Sequence, residues 1–302
     1  MIRISIQGHA SDGAGWLNLA RTADAFGFDT LYAADHPGAL PAPFVWLAAA
    51  TAVTKHIKLG TCVLNSGLWE PYSLATAVAT LDIISGGRAL FGVGAGHTPS
   101  EWEMRGIPIP SPLHRIDRMA EVVAAVQSLL SGETVTIDSK FIKLDAARLS
   151  PMLNRTVPLM VGGGGEKVLR FAAATAGIVG VTGLGKTLSD GHRHEANWTE
   201  PALDQMFEII RSVVPSSGQL PDVEALVQHI EITEDPKAAA TTLAEAIPNA
   251  TPDDLLGAPF IWIGSGESIA ERLLEHEQRW GINRYVVRAR VLAQALEVMK
   301  HL

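Results

Sequence analysis

Short β-branched or apolar runs alternate with longer segments of helical spacing along almost the whole chain, and this alternation limits the choice of folds more than any motif does. The run at 2–7 is followed by Trp16, Leu19, Ala20, Ala23 and Phe26 at helical intervals. The run at 30–34 is followed by an alanine-rich segment, and 57–64 by Leu74, Ala77, Val78, Leu81 and Ile84. Further strand-like runs lie at 89–95, 157–161, 178–182 and, more weakly, 224–232, with a last one at 284–288 before a closing helical segment. Parallel strands need crossover helices, so strict alternation predicts a parallel sheet. About eight such units in 302 residues predict an α/β fold, a (β/α)8 TIM barrel forming one domain over 1–302. An open doubly wound sheet usually has fewer strands. The segments 183–201 and 233–256 lack a clear period and read as irregular insertions at the C-terminal face, where barrel loops cover the mouth.

Reactive groups in such a barrel sit at the C-terminal strand ends, and polar residues stand there in this sequence. The second strand runs into Asp35-His36-Pro37-Gly38 and the third into Asn65-Ser66. The fourth runs into Gly94-Ala95-Gly96-His97, with Ser100 and Glu101 just beyond. The sixth ends at Thr182-Gly183 and the eighth at Arg288-Ala289-Arg290. The fifth exits through Gly162, Gly163, Gly164 and Gly165 into a helix-like stretch starting at Glu166. Bare backbone before a helix start leaves N–H groups that suit a phosphate, helped by the helix dipole. The same glycines also serve as a plain strand-to-helix turn. Lys186 and Arg288 are candidates for an anionic substrate group, against the ordinary roles of a solvated lysine and a salt-bridged arginine. Trp69 is singled out from the tryptophans as a pocket-lining candidate. His192 and His194 have ligand-like spacing but no evident third partner, so no metal site is expected.

Composition excludes several classes. A net charge of −8 disfavours nucleic acid and anionic membranes as partners. The single cysteine, Cys62, allows no internal disulfide and calls for no oxidising compartment. The start of the chain reads as a strand rather than a signal peptide, and no apolar stretch approaches the roughly 20 residues of a membrane span. The expectation is a cytoplasmic protein acting on a small molecule.

Ala33-Ala34-Asp35-His36-Pro37, Gly60-Thr61-Cys62-Val63-Leu64 and Leu81-Asp82-Ile83-Ile84-Ser85-Gly86-Gly87-Arg88 are spaced in a way that resembles the bacterial luciferase-like monooxygenase superfamily. Phe91-Gly92-Val93-Gly94-Ala95-Gly96, Val157-Pro158-Leu159-Met160-Val161-Gly162-Gly163-Gly164 and Trp280-Gly281-Ile282-Asn283-Arg284-Tyr285-Val286-Val287 continue the match in order. The similarity is greatest to the branch that uses the deazaflavin coenzyme F420, whose members move a hydride between F420 and an organic substrate. Other branches use FMN and molecular oxygen.

The resemblance implies particular roles. His36 serves as proton donor or charge stabiliser, with Asp35 beside it against the deazaflavin ring. Cys62 and Val63 are joined by a cis peptide bond in a bulge that backs the ring, and Asn65 contacts the coenzyme. Gly162, Gly163, Gly164, Gly165 and Glu166 grip its phosphate. Ala95, Gly96, Ser100 and Thr182 complete the coenzyme contacts, Ser100 standing where the family has an asparagine. His97 stands where F420-dependent sugar-phosphate dehydrogenases carry a second proton-handling glutamate, and it is a further catalytic candidate. A homodimer is also implied. The expected activity is therefore F420-dependent oxidoreduction of a small organic substrate. The alternatives are an FMN-dependent monooxygenase fed by a separate reductase, and a barrel that binds a flavin or deazaflavin without turnover.

Overall fold

The computed structural model describes residues 1–150, 152–187, 194–213, 215, 218–247 and 249–302. Eight parallel strands, here β1 to β8, are Arg3–Gly8, Thr30–Ala33, Lys58–Thr61, Ala89–Gly94, Leu159–Gly162, Ile178–Val181, Asp222–Leu226 and Ile282–Arg288. Their hydrogen-bonding order is β3-β2-β1-β8-β7-β6-β5-β4, and β4 also pairs with β3, so the order closes on itself as a (β/α)8 barrel. All eight fall where alternation places them. The chain's contacts group it into two compact units, residues 10–162 and residues 1–9 with 163–302.

Within residues 10–162, β3 stops at Thr61 and the chain pairs again with β4 through Leu64–Asn65, which lies opposite Val93 and Gly94. The peptide bond between these two stretches, Cys62–Val63, is cis, as the resemblance implies. Backbone packs on backbone here. A Cβ on Gly92 would stand 1.8 Å from the Thr61 carbonyl oxygen, so this strand position accepts only glycine. The Thr61 hydroxyl donates to the Gly92 carbonyl at 2.7 Å and accepts the Gly92 N–H at 3.1 Å, which locks the two strands at their exit. Leu31, Tyr32, Leu59, Leu90, Phe91 and Val93 fill the core beneath.

Within residues 1–9 and 163–302, β1, β8, β7 and β6 pair in parallel register. Arg284 on β8 and Glu224 on β7 are both buried, with Nε–Oε1 at 3.3 Å, and the Ser5 hydroxyl donates to the same Glu224 oxygen at 3.0 Å. Buried charges persist when paired and hydrogen-bonded in this way.

The structure corrects the reading of the insertions. The segment 233–256 holds two helices, Pro236–Ala244 and Pro252–Gly257. The first buries only Ala240, so its sequence carries almost no apolar stripe for periodicity to detect. The weak seventh run divides into β7 and a separate strand, His229–Ile232, which pairs in parallel with Ile261–Gly264. The segment 183–201 contains an antiparallel pair, Leu184–Thr187 with His194–Ala196. His192 lies outside the described residues.

Gly92→Ala is expected to destabilise the fold at or above the upper end of the about 1–3 kcal/mol typical of overpacking. Gly13→Ala, at the first residue of the helix Gly13–Ala25 with nothing within 4 Å of its added Cβ, is expected to be neutral or stabilising by about 0.5–1 kcal/mol. Urea unfolding of the two variants checks both; equal midpoints would contradict the backbone contact at Gly92.

Candidate active site

Asp35 and His36 leave the end of β2, and Asp35 is only 5% exposed. A carboxylate placed there must find donors. Its Oδ2 accepts the Asn65 backbone N–H at 3.1 Å and the Trp69 indole N–H at 2.8 Å. Burial pushes the Asp35 carboxyl above its ordinary value, and the two hydrogen bonds offset only part of this. The nearby Glu101 charge adds to the upward push.

Glu101 belongs to the short helix Pro99–Glu103, which follows β4, and it too is 5% exposed. Its Oε1 lies 2.7 Å from His36 Nδ1, and its Oε2 accepts the Asn65 side-chain N–H at 2.9 Å. The Asn65 oxygen in turn accepts the Gly67 N–H at 3.0 Å, so every polar atom of that amide has a fixed direction. Two glycines make room for this. A Cβ on Gly96, which has φ of +71°, would fall 2.0 Å from the Asn65 side-chain oxygen. A Cβ on Gly67 would fall 2.0 Å from the Trp102 ring. Gly96 lets the backbone approach Asn65, and Gly67 lets it approach the Trp102 ring.

Burial alone would raise the Glu101 carboxyl, but the hydrogen bonds from His36 and Asn65 outweigh it and hold the group below 4.5. Glu101 is therefore ionised near neutrality, and His36 Nδ1 carries the proton it shares with Oε1. The bond to Glu101 raises the His36 pKa above 6.5 against the opposing effect of burial. The His36 side chain remains 44% exposed, so its ring is tethered on one side and not sealed off.

The structure thus brings Asp35, His36, Asn65 and Trp69 into one hydrogen-bonded cluster with Glu101. Cys62 and Val63 are half-buried at the cis bond, and Gly94 is held tight against Val63. Ala95 is half-buried, whereas His97 and Ser100 are exposed. Glu101 is the member that sequence reading noted at the strand end but explained as a helix-start carboxylate. Following Pro99 by two residues, it suits a helix start, and that explanation masks its second task.

Gly162 is the last residue of β5, and Gly163 to Gly165 precede the helix Glu166–Thr175. Gly163 N–H is spent on the Gly180 carbonyl at 3.1 Å. Gly165 is the N-cap residue and provides no side-chain cap, and Gly164, Gly165 and Glu166 are exposed. That is the chemistry an anion needs from a helix start. The Glu166 carboxylate turns along its own helix to Arg170, with the ion pair at 2.8 Å. Thr182 is half-buried and accepts the Leu184 N–H at 3.2 Å. Arg288 donates to the Gln228 side-chain oxygen at 3.1 Å and the Val227 carbonyl at 3.3 Å. Lys186 lies in the strand Leu184–Thr187. No group of three metal-ligating side chains occurs among the described residues.

The arrangement is that of a (β/α)8-barrel enzyme with its polar cluster at the C-terminal strand ends. The chain belongs to the luciferase-like monooxygenase family, whose sequence profile matches residues 2–284. An F420-dependent glucose-6-phosphate dehydrogenase of Beutenbergia cavernae is 31% identical over 250 residues, covering 79% of this chain and 70% of that protein. A 4-hydroxyprotoasukamycin monooxygenase of Streptomyces nodosus subsp. asukaensis is 34% identical over 175 residues, covering 56% of this chain and 46% of that protein. Among solved structures, the coenzyme F420-dependent tetrahydromethanopterin reductase of Methanopyrus kandleri superposes with a TM-score of 0.77 over 99% of both chains at 20% identity, a likeness of fold.

Two linked signs follow from the pair. The raised His36 value gives stabilisation that is complete below 6.5 and is lost as pH rises through the folded-state value. The lowered Glu101 value gives stabilisation present above 4.5 and lost as pH falls through its folded-state value. The stability difference between the wild type and Glu101→Gln is therefore expected to be largest between pH 4.5 and 6.5, with the His36 titration moving downward in the variant. Urea unfolding against pH and NMR titration of the His36 ring check this; an unmoved histidine would refute the coupling.

Proposed function

We propose that the chain is an F420-dependent oxidoreductase that transfers a hydride between the coenzyme and a small organic substrate. The observation that carries the reading is the 31% identity to an F420-dependent dehydrogenase over 79% of this chain. It is supported by the family membership and by the way the residues suit the group. An uncapped, exposed helix start behind a run of glycines offers the amides of Gly164, Gly165 and Glu166 to a phosphate, with Gly163 proposed beside it. Asp35, Cys62, Val63, Asn65, Ala95, Gly96, Ser100, Gly162 and Thr182 are proposed as further coenzyme contacts. Trp69, Lys186 and Arg288 are proposed to face the substrate. A homodimer in the cytoplasm belongs to the same proposal.

The coenzyme, when bound, supplies or accepts the hydride. The chain's own task is the accompanying proton. Glu101 fixes His36 through Nδ1, leaving Nε2 as the ring atom that takes or gives a proton. The bond to Glu101 raises the His36 pKa and makes the ring a stronger base than a solvated imidazole. Asn65 and Trp69 hold the two carboxylates in place so that the ring does not have to reorganise. His97 is proposed as a second proton-handling group, in keeping with its exposure.

The second reading is an FMN-dependent monooxygenase, favoured by the 34% identity to a monooxygenase over 56% of this chain. Direct titration of the purified protein with F420 and with FMN separates the two. The expected result is saturable F420 binding with FMN weaker by at least tenfold; micromolar FMN binding without F420 affinity would overturn the proposal. Under it, His36→Ala is expected to lower turnover by about 10²–10⁴-fold while coenzyme affinity stays within threefold. Unchanged turnover would remove His36 from the reaction.

A further inference from the structure

We infer that a cavity beside Trp69 is a binding site for a small oxoanion group, a phosphate or carboxylate, held by Arg105, Arg118 and Lys143. The cavity measures about 190 Å³ and is lined by these three cations together with Trp69, Phe141 and Glu70, among others. Three cations line it against one carboxylate, and Lys143 also reaches the exposed Asp138 carboxylate at 2.8 Å. The single lining carboxylate, Glu70, is committed to the helix it caps, accepting the Tyr72 N–H at 3.1 Å and the Ser73 N–H at 2.9 Å. A fourth cation, Lys140, stands over the Phe141 ring at 4.5 Å from its centre.

The arginines are held open. Arg118 is half-buried, and its guanidinium donates to the Phe141 carbonyl at 2.7 Å and the Trp69 carbonyl at 3.0 Å. Arg105 donates to the Leu68 carbonyl at 3.3 Å. A guanidinium has five N–H donors, so anchoring it by neutral carbonyls leaves donors and the full positive charge for a ligand. Burial lowers the Arg118 pKa, and the neighbouring Arg105 charge lowers it further. Glu70 and Glu121 counter this only in part. Two like charges brought together are relieved by an anion, and planar guanidinium groups match phosphate and carboxylate in paired hydrogen bonds.

The site is wired to the candidate active site through one residue. Trp69 accepts from Arg118 with its backbone carbonyl and donates to Asp35 with its indole N–H at 2.8 Å. An anion drawn to Arg118 therefore acts on the residue that holds Asp35. The source of the anion is either a group carried by the substrate or a free ion. The first of these rests on the oxidoreductase reading above, whereas anion binding itself does not.

The test is isothermal titration with inorganic phosphate at ionic strength held constant with sodium chloride, on the wild type and on Arg105→Gln and Lys143→Gln, whose side chains are exposed. Saturable binding in the wild type, weakened at least fivefold in Arg105→Gln and at least threefold in Lys143→Gln, is expected. The indole N–H resonance of Trp69, assigned with Trp69→Phe, is expected to move during the titration. Titration with glucose 6-phosphate and with glucose separates the sources. Sugar phosphate binding at least tenfold tighter than both phosphate and glucose, and lost in Arg105→Gln, supports a substrate-borne group. Equal affinity for phosphate and sugar phosphate supports a free ion. No phosphate binding, or binding unaltered in both variants, overturns the site while leaving the coenzyme titration as a separate judgement on the oxidoreductase reading.

Discussion

Two carboxylates, Asp35 and Glu101, are buried to 5% exposure in the same unit, and the local structure is arranged around keeping both satisfied. Removing a carboxylate from water is costly unless donors replace it, and like charges close together add to the cost. The chain answers with Asn65, whose backbone serves one carboxylate and whose side chain serves the other. That double use requires the strand to end at Asn65 and to be re-paired with β4 through Leu64–Asn65. It also requires glycine at 96, where the asparagine side chain lies on the backbone. The glycines at strand exits are therefore consequences of the carboxylates as much as of any ligand.

The barrel was legible because most of its strands are short β-branched or apolar runs bounded by turn residues. The auxiliary elements were not. The helix Pro236–Ala244 buries one alanine, and its start is marked by Pro236 and by Asp235, whose carboxylate accepts the Ala238 N–H at 3.0 Å. A cap without a stripe is weak evidence in a sequence. The pair Leu184–Thr187 and His194–Ala196 was hidden for a related reason, since its register shifts and its strands are three and four residues long.

The site was legible in part, and the division follows sequence distance. Asp35 and His36 are adjacent in the chain, and Cys62 and Val63 carry a motif, so both pairs were visible. The bond from His36 to Glu101 spans 65 residues, and nothing local in either segment announces it. Trp69 was visible only as an aromatic. Its link to Asp35, 34 residues away, is a matter of fold. His97 illustrates the converse: it was conspicuous as a departure from a motif, yet it is exposed and Glu101 is the group that meets His36.

The cluster's net charge bears on what His36 is able to do. With His36 protonated, one positive charge stands against two buried negatives; with it neutral, the two negatives face each other with only neutral donors around them. Losing the proton is therefore harder than for a solvated imidazole, which is the sense of the raised value at His36. A histidine so placed is a stronger base and a weaker acid than usual. Under the proposed redox chemistry, that bias suits taking a proton from a substrate hydroxyl as a hydride departs, more than giving one to a product. An arriving anion near Trp69 would add a further negative charge on the Asp35 side and strengthen the same bias.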